Sequence, residues 1–238
     1  MSQKPGVKLL LSGLSNSGKT NALRTLDASK SLVVSVDGKT FPFAIPHFNV
    51  STFPDVDGLL YGYESEDGHV DGVADKIQKF HAAYGHYPEN VVFDTVSRIF
   101  SIISDNCNRQ FKNFDVHSNI AKQIAEFNTF IQSQLVENGM NVIQITHVTF
   151  DEKLNTYFDA SSGSYKKAGG SIGTHDHVSF FHIKSKKYKV THREAGLPCR
   201  TLLPEDVLPS TQDADDYSLA NHIKLLHDSV LEITKFTL

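Results

Sequence analysis

The octapeptide Gly13-Leu14-Ser15-Asn16-Ser17-Gly18-Lys19-Thr20 constrains this chain more than any other stretch. It satisfies the pattern G-x-x-x-x-G-K-[ST], directly after the apolar run Val7 to Ser12 and directly before a helical pattern from Asn21 to Ala28. An apolar run that ends on glycine reads as a buried parallel strand opening into a loop. Glycines at both ends of such a loop let backbone N–H groups turn inward around an anion, so Gly13, Ser15, Asn16, Ser17 and Gly18 are the candidate phosphate cradle. Lys19 is spaced to reach the outer phosphates, Thr20 offers a hydroxyl to Mg2+, and the N-terminus of the following helix favours the anion.

The remainder of the chain supplies neighbours for that strand. Further apolar runs at Ser31 to Val36, Val91 to Phe93 and Asn141 to Thr146 alternate with helical patterns over Val70 to Tyr84, Ser97 to Phe111 and Ser118 to Asn138. In the last of these, Ile120, Ile124, Phe127, Ile131 and Leu135 recur at the spacing of one buried face. Strands alternating with helices predict an α/β fold with a mainly parallel sheet. Thr149 to Thr174 is rich in Gly and Ser and reads as an irregular loop, while Val178 to Lys184 and Lys187 to Arg193 read as an antiparallel hairpin around Ser185-Lys186. The expected division is a core over residues 1–203, a polar linker over 204–216 and a C-terminal amphipathic helix within 217–238.

Composition narrows the function classes. Among 238 residues, 39% hydrophobic, no run approaches the ~18 to 20 apolar residues of a spanning helix, and Met1 to Lys8 lacks the apolar centre of an export signal. With two cysteines, Cys107 and Cys199, far apart, a reducing cytoplasmic setting is expected and no membrane association. A net charge of −4 excludes a uniformly basic nucleic-acid coat. Charge is nevertheless uneven: Lys153 to Arg200 holds nine Lys or Arg against three acids, whereas Asp55 to Asp75 has neither Lys nor Arg. The basic stretch reads either as a solvated face or as a polyanion-binding surface.

Three strand ends carry candidate site residues. Asn90-Val91-Val92-Phe93-Asp94 is an apolar run closing on an acid, the form of a second phosphate-site motif in which Asp94, on a strand beside the first, holds the metal; the other reading is a turn cap. Thr95 follows where a Glu could activate water, so Asp37, after Val33 to Val36, is the alternative candidate for orienting that water, against a plain Asp-Gly turn. His147, with Thr146, ends the last parallel strand. His175, Asp176, His177 and His182 fit packed or solvated histidines better than a metal site. Tyr165, Lys166 and Lys167 combine an aromatic ring with two cations, as single-strand binders do.

In this order the motifs resemble the RecA-type ATPase core. Val33 to Phe41, Asn90 to Ile99, Asn141 to His147, Tyr188 to Arg193 and Arg200 to Leu202 are similar to the short phage-encoded RecA-like ATPases that include single-strand annealing proteins. The resemblance covers residues 7 to 203 and implies ATP and Mg2+ as ligands, with Lys19 and Thr20 on phosphate and metal and Asp94 in the metal shell. It further implies that Asp37, in place of the family's usual Glu, serves the attacking water and that His147 senses the γ-phosphate. Arg193, in the basic Lys184 to Arg193 segment, would reach a neighbour's nucleotide in a homo-oligomer. Tyr165, Lys166 and Lys167 fall in the loop that contacts single-stranded DNA, implying work in recombination or annealing. Two alternatives stand beside this reading. One is a nucleoside or nucleotide kinase, disfavoured by only five arginines. The other is a non-hydrolysing nucleotide-binding adaptor whose C-terminal helix recruits a protein partner.

Overall fold

The computed structural model of the protein describes residues 4–153, 155–159 and 170–233. The first apolar run forms β1 (Lys8–Gly13), and the loop after it enters a 3-10 helix, Thr20–Thr25. Then come β2 (Ser31–Ser35), β3 (His47–Asn49), α1 (Val56–Tyr61), a small hairpin of β4 (Tyr63–Ser65) and β5 (Gly68–Val70), and α2 (Val73–Tyr84). β6 (Asn90–Asp94) leads into α3 (Val96–Gln110) and α4 (Phe114–Phe130), which continues as a π-helix over Ile131–Val136 before β7 (Asn141–Asp151). The chain proceeds through β8 (Thr156–Asp159), a single helical turn at Gly170–Gly173, β9 (Val178–Lys184), β10 (Lys187–Thr191), β11 (Thr211–Asp213) and α5 (Leu219–Ile233).

The order β9-β1-β7-β6-β2-β3 is parallel throughout, and β10 and β11 extend the β9 edge by antiparallel pairing. The fold is therefore α/β, a mostly parallel mixed sheet flanked by helices and closed by an antiparallel hairpin. Alternate residues of each strand face opposite layers. Val34, Val91, Phe93 and Val142 join the core under α1 to α4, whereas Leu9, Val33, Val92 and Ile143 join the core under the 3-10 helix and α5. A buried polar row pins the register at the amino ends of the strands: Asn141 Nδ2 donates to Asn90 Oδ1 (3.0 Å), and Asn90 Nδ2 donates to Ser31 Oγ (3.1 Å). A slip by one residue would strand these amides in the interior. In the β9–β10 connection Ser185 and Lys186 both take positive φ, 53° and 62°, the two-residue turn whose twist suits a hairpin.

Three expectations need correction. The helix over Asn21 to Ala28 is a six-residue 3-10 helix ending at Thr25. Thr25 Oγ1 donates to Ala22 O at 2.9 Å, and the Asp27 carboxylate accepts from Ser29 N to begin a separate turn, so local side-chain bonds compete with the helix. The Thr25 hydroxyl also accepts from Leu219 N at 3.0 Å, tying α5 to this segment. Within Thr149 to Thr174, β7 runs on to Asp151 and pairs antiparallel with β8, so its described part is partly strand rather than irregular loop. The 204–216 linker contains β11, paired to β10, and Leu219 and Ile223 of α5 are buried in the core shared with Leu9 and Phe181. The acidic stretch Asp55 to Asp75 folds into α1, β4, β5 and the start of α2. Two of its acids cap helices: Asp55 accepts from Gly58 N at 2.9 Å and Asp75 from Gly72 N at 3.0 Å.

Two buried histidines join α5 to the sheet. His192 Nδ1 lies 3.0 Å from Ser179 Oγ, His222 Nδ1 lies 2.9 Å from the Tyr217 hydroxyl, and the two rings meet edge to face at 5.1 Å. Burial, and then Arg193, pushes the His192 pKa down to about 4, and burial with His192 beside it holds His222 well below the ordinary 6.5. Both stay neutral in the fold at a pH where the unfolded chain takes up protons. Stability is therefore present above pH 6.5 and lost as pH falls from 6.5 towards 4. Urea melts across that range are expected to show a loss of about 3 kcal/mol for His192 alone. His222→Phe, which keeps a ring but cannot titrate, should show a shallower acid slope, and an unchanged slope would contradict the assignment.

Candidate phosphate-binding site

β1 delivers its loop to the carboxyl edge of the sheet, between β9 and β7. Gly13 has φ +152°, and a Cβ there would lie 2.2 Å from the Phe181 carbonyl oxygen, so no side chain fits where β1 passes β9. Gly18 has φ +96°, a backbone region that glycine tolerates best. Lys19 is 4% exposed and folds into the loop, donating to Gly13 O at 2.8 Å and Leu14 O at 2.7 Å. Burial lowers its pKa to about 8, against the pull of Asp94 and with the help of nearby Lys39. Ser17 Oγ donates to Leu14 O at 2.7 Å and closes the turn. Because the segment after Thr20 is a short 3-10 helix, its macrodipole is small, and anion affinity falls to the loop N–H groups and Lys19.

Asp94 closes β6 with its side chain fully buried. Its strand is not beside β1 as expected, because β7 lies between them. The sheet twist and side-chain reach nevertheless join the two motifs: Thr20 Oγ1 donates to Asp94 Oδ2 at 3.0 Å. The other carboxylate oxygen, Oδ1, lies 3.3 Å from Lys39 Nζ, which also pairs with Asp37 Oδ2 at 2.8 Å. Burial raises the Asp94 pKa; Lys39 and the Thr20 hydroxyl oppose the rise, and Asp37 adds to it. The intervening β7 has its own consequence. It sets His147 directly opposite Gly13 in the ladder. Burial first, then Lys19 and Lys39, lowers the His147 pKa to about 4, so the imidazole is neutral at physiological pH. Its buried Nδ1 has no hydrogen-bond partner among the described residues.

The loop from Ser15 to Asn21, Lys39 and His147 line one cavity of about 580 Å³, together with Tyr188 on β10 and Asp215 after β11. The loop, Lys19 and the Thr20 hydroxyl face it, and behind them Asp94 and Asp37 hold Thr20 and Lys39, a donor set suited to a polyphosphate and a hard divalent cation.

The chain matches no family model and no curated protein. Function is therefore read from the site itself.

Gly13, Ser15, Asn16, Ser17, Gly18, Lys19, Thr20, Asp37, Asp94 and His147 are thus brought to one edge of the sheet. Arg193 is placed differently: its guanidinium donates to Leu208 O at 2.8 Å and to Leu203 O, bracing the loop ahead of β11 within its own chain. Tyr165, Lys166 and Lys167 lie outside the described residues. Part of the basic stretch is internally matched, with Lys184 paired to Glu194 at 3.8 Å and Lys189 to Asp213. Arg200 is occupied too, donating to the His175 and Gly173 carbonyls. His175, His177 and His182 each have a separate partner, Ser171 O, Thr201 Oγ1 and Thr191 Oγ1, as packed histidines do. Lys39, Tyr188 and Asp215 escape sequence reasoning. For Lys39 the available signal is its place two residues after Asp37, across a glycine with φ 65°; nothing local marks the other two.

Proposed function

We propose that the protein is a Mg2+-dependent ATPase with a RecA-like P-loop core, acting on single-stranded DNA in phage-type recombination or strand annealing. The observation that carries the nucleotide part is the 3.0 Å bond from Thr20 to Asp94, which joins residues 74 apart in sequence at the mouth of the glycine-rich loop. A hydroxyl and a carboxylate in contact are the oxygen ligands that Mg2+ takes, and these two residues would hold it. When bound, Mg2+ neutralises charge on the β- and γ-phosphate oxygens. Lys19 exchanges its two loop carbonyls for phosphate oxygens, replacing neutral acceptors by charged ones. Asp37 orients the attacking water, and the neutral His147 imidazole beside Gly13 donates a hydrogen bond towards the terminal phosphate. The DNA part is supported by the basic stretch Lys153 to Arg200 and by the resemblance of the motif order.

ATP hydrolysis with and without single-stranded DNA, alongside mass by light scattering, tests the reading. Expected are turnover abolished by EDTA, acceleration by single-stranded DNA, and a mass above that of one chain. Absence of nucleotide binding would overturn the whole proposal; DNA-independent turnover would overturn its DNA part.

A further inference from the structure

Asp37 and Asp94 leave neighbouring strands, β2 and β6, whose paired register sets Ser35 opposite Asp94. Their carboxylates share one ammonium, that of Lys39, at 2.8 and 3.3 Å. Asp94 divides its two oxygens, Oδ2 towards Thr20 and Oδ1 towards Lys39. A divalent cation held by Thr20 and Asp94 needs that same carboxylate. It brings two positive charges where Lys39 brings one, into a site that already contains Lys19. Lys39 and the cation are therefore competitors. Lys39 is also equipped to move: its side chain is 35% exposed, it lines the cavity, and its flexible four-carbon stem starts just after the Asp37-Gly38 turn.

We propose that Lys39 is a displaceable counter-charge, which neutralises Asp94 and Asp37 in the nucleotide-free protein, leaves Asp94 when a divalent cation arrives with nucleotide, and then turns to the terminal phosphate. This rests on the nucleotide reading above and deepens it. The site then contains its own cation for the transferring phosphoryl group. Arg193, the residue that the family resemblance puts in a comparable role from a neighbouring subunit, is held by the carbonyls of Leu203 and Leu208. Release of Lys39 also frees the Asp37 oxygen it covers, so that one movement prepares both the phosphate and the water side of the reaction.

Mn2+ is the probe, titrated into nucleotide-free protein and followed by electron paramagnetic resonance. Lys39→Met is expected to bind Mn2+ at least ~10-fold more tightly than wild type, since a unit charge within ~4 Å of a shared carboxylate is removed. Lys39→Arg, which keeps the charge, should stay near wild type. Turnover in Lys39→Met should fall at least ~100-fold with little change in KM for ATP, the scale of one charge-stabilising group lost from the transition state. Should Lys39→Met fail to fold, Lys39→Gln carries the same two expectations. Unchanged or weaker Mn2+ binding in a folded neutral variant overturns the competition, and unchanged turnover overturns the turn to the phosphate. Failure of the ATPase reading is recognised separately, by a fluorescent ATP analogue that does not bind wild-type protein. The Mn2+ comparison still gives a clear result in that case.

Discussion

Lys19→Ala is expected to lower affinity for a fluorescent ATP analogue by at least ~100-fold and to leave no measurable hydrolysis. Lys19 is 4% exposed and its ammonium donates to two loop carbonyls, and a bond from such a group to a phosphate oxygen, made away from bulk water, is worth ~3 kcal/mol, or about two powers of ten. The effect on folding should be small. Burial already pulls the Lys19 pKa down to about 8, which means that the fold bears a cost for keeping this charge inside; removing it offsets the two hydrogen bonds lost from Gly13 and Leu14. Thermal melts of Lys19→Ala should thus stay within a few degrees of wild type. Normal hydrolysis in a folded Lys19→Ala protein would remove the loop from the mechanism.

Asp94→Asn is expected to reduce Mg2+-dependent turnover by at least ~1000-fold while retaining most affinity for nucleotide without metal, because the loop cradle does not depend on the carboxylate charge. Asn keeps an oxygen that can accept from Thr20 Oγ1, so the bond between the two motifs survives and the variant should fold. Burial disfavours the charge at position 94, and replacing it by a neutral group of the same shape is expected to cost little stability. Equal turnover at saturating Mg2+ would show that another acid holds the metal.

Much of the architecture is legible in the residues themselves. The runs that become β1, β2, β6 and β7 are apolar and end on Gly, Asp or polar residues, β9 and β10 flank a two-residue turn, and α2, α3 and α4 repeat their apolar positions at helical spacing. Short elements escape for a physical reason. β3, β4, β5 and β11 have three residues each, too few to establish a period, and they form by pairing with a neighbour rather than by local preference. The work of Asp55 and Asp75, capping α1 and α2, is not legible locally because it depends on where those helices begin.

The site divides along the same line. The glycine-rich loop is a local object: eight consecutive residues, two of them glycines at positive φ, are sufficient to specify it. Asp94, Asp37 and His147 can be nominated from strand ends, since in a parallel sheet the carboxyl ends gather on one side. Their order across that side is not a local property. Only the tertiary structure places β7 between β1 and β6, sets His147 opposite Gly13, and lets Thr20 reach Asp94 across the intervening strand. It alone closes Lys39 onto two acids and ties Arg193 to the carbonyls of its own chain. Periodicity states which face of a strand is buried, whereas strand adjacency is decided by the packing and hydrogen bonding of the whole sheet, and charge neutralisation in a buried site follows from that adjacency.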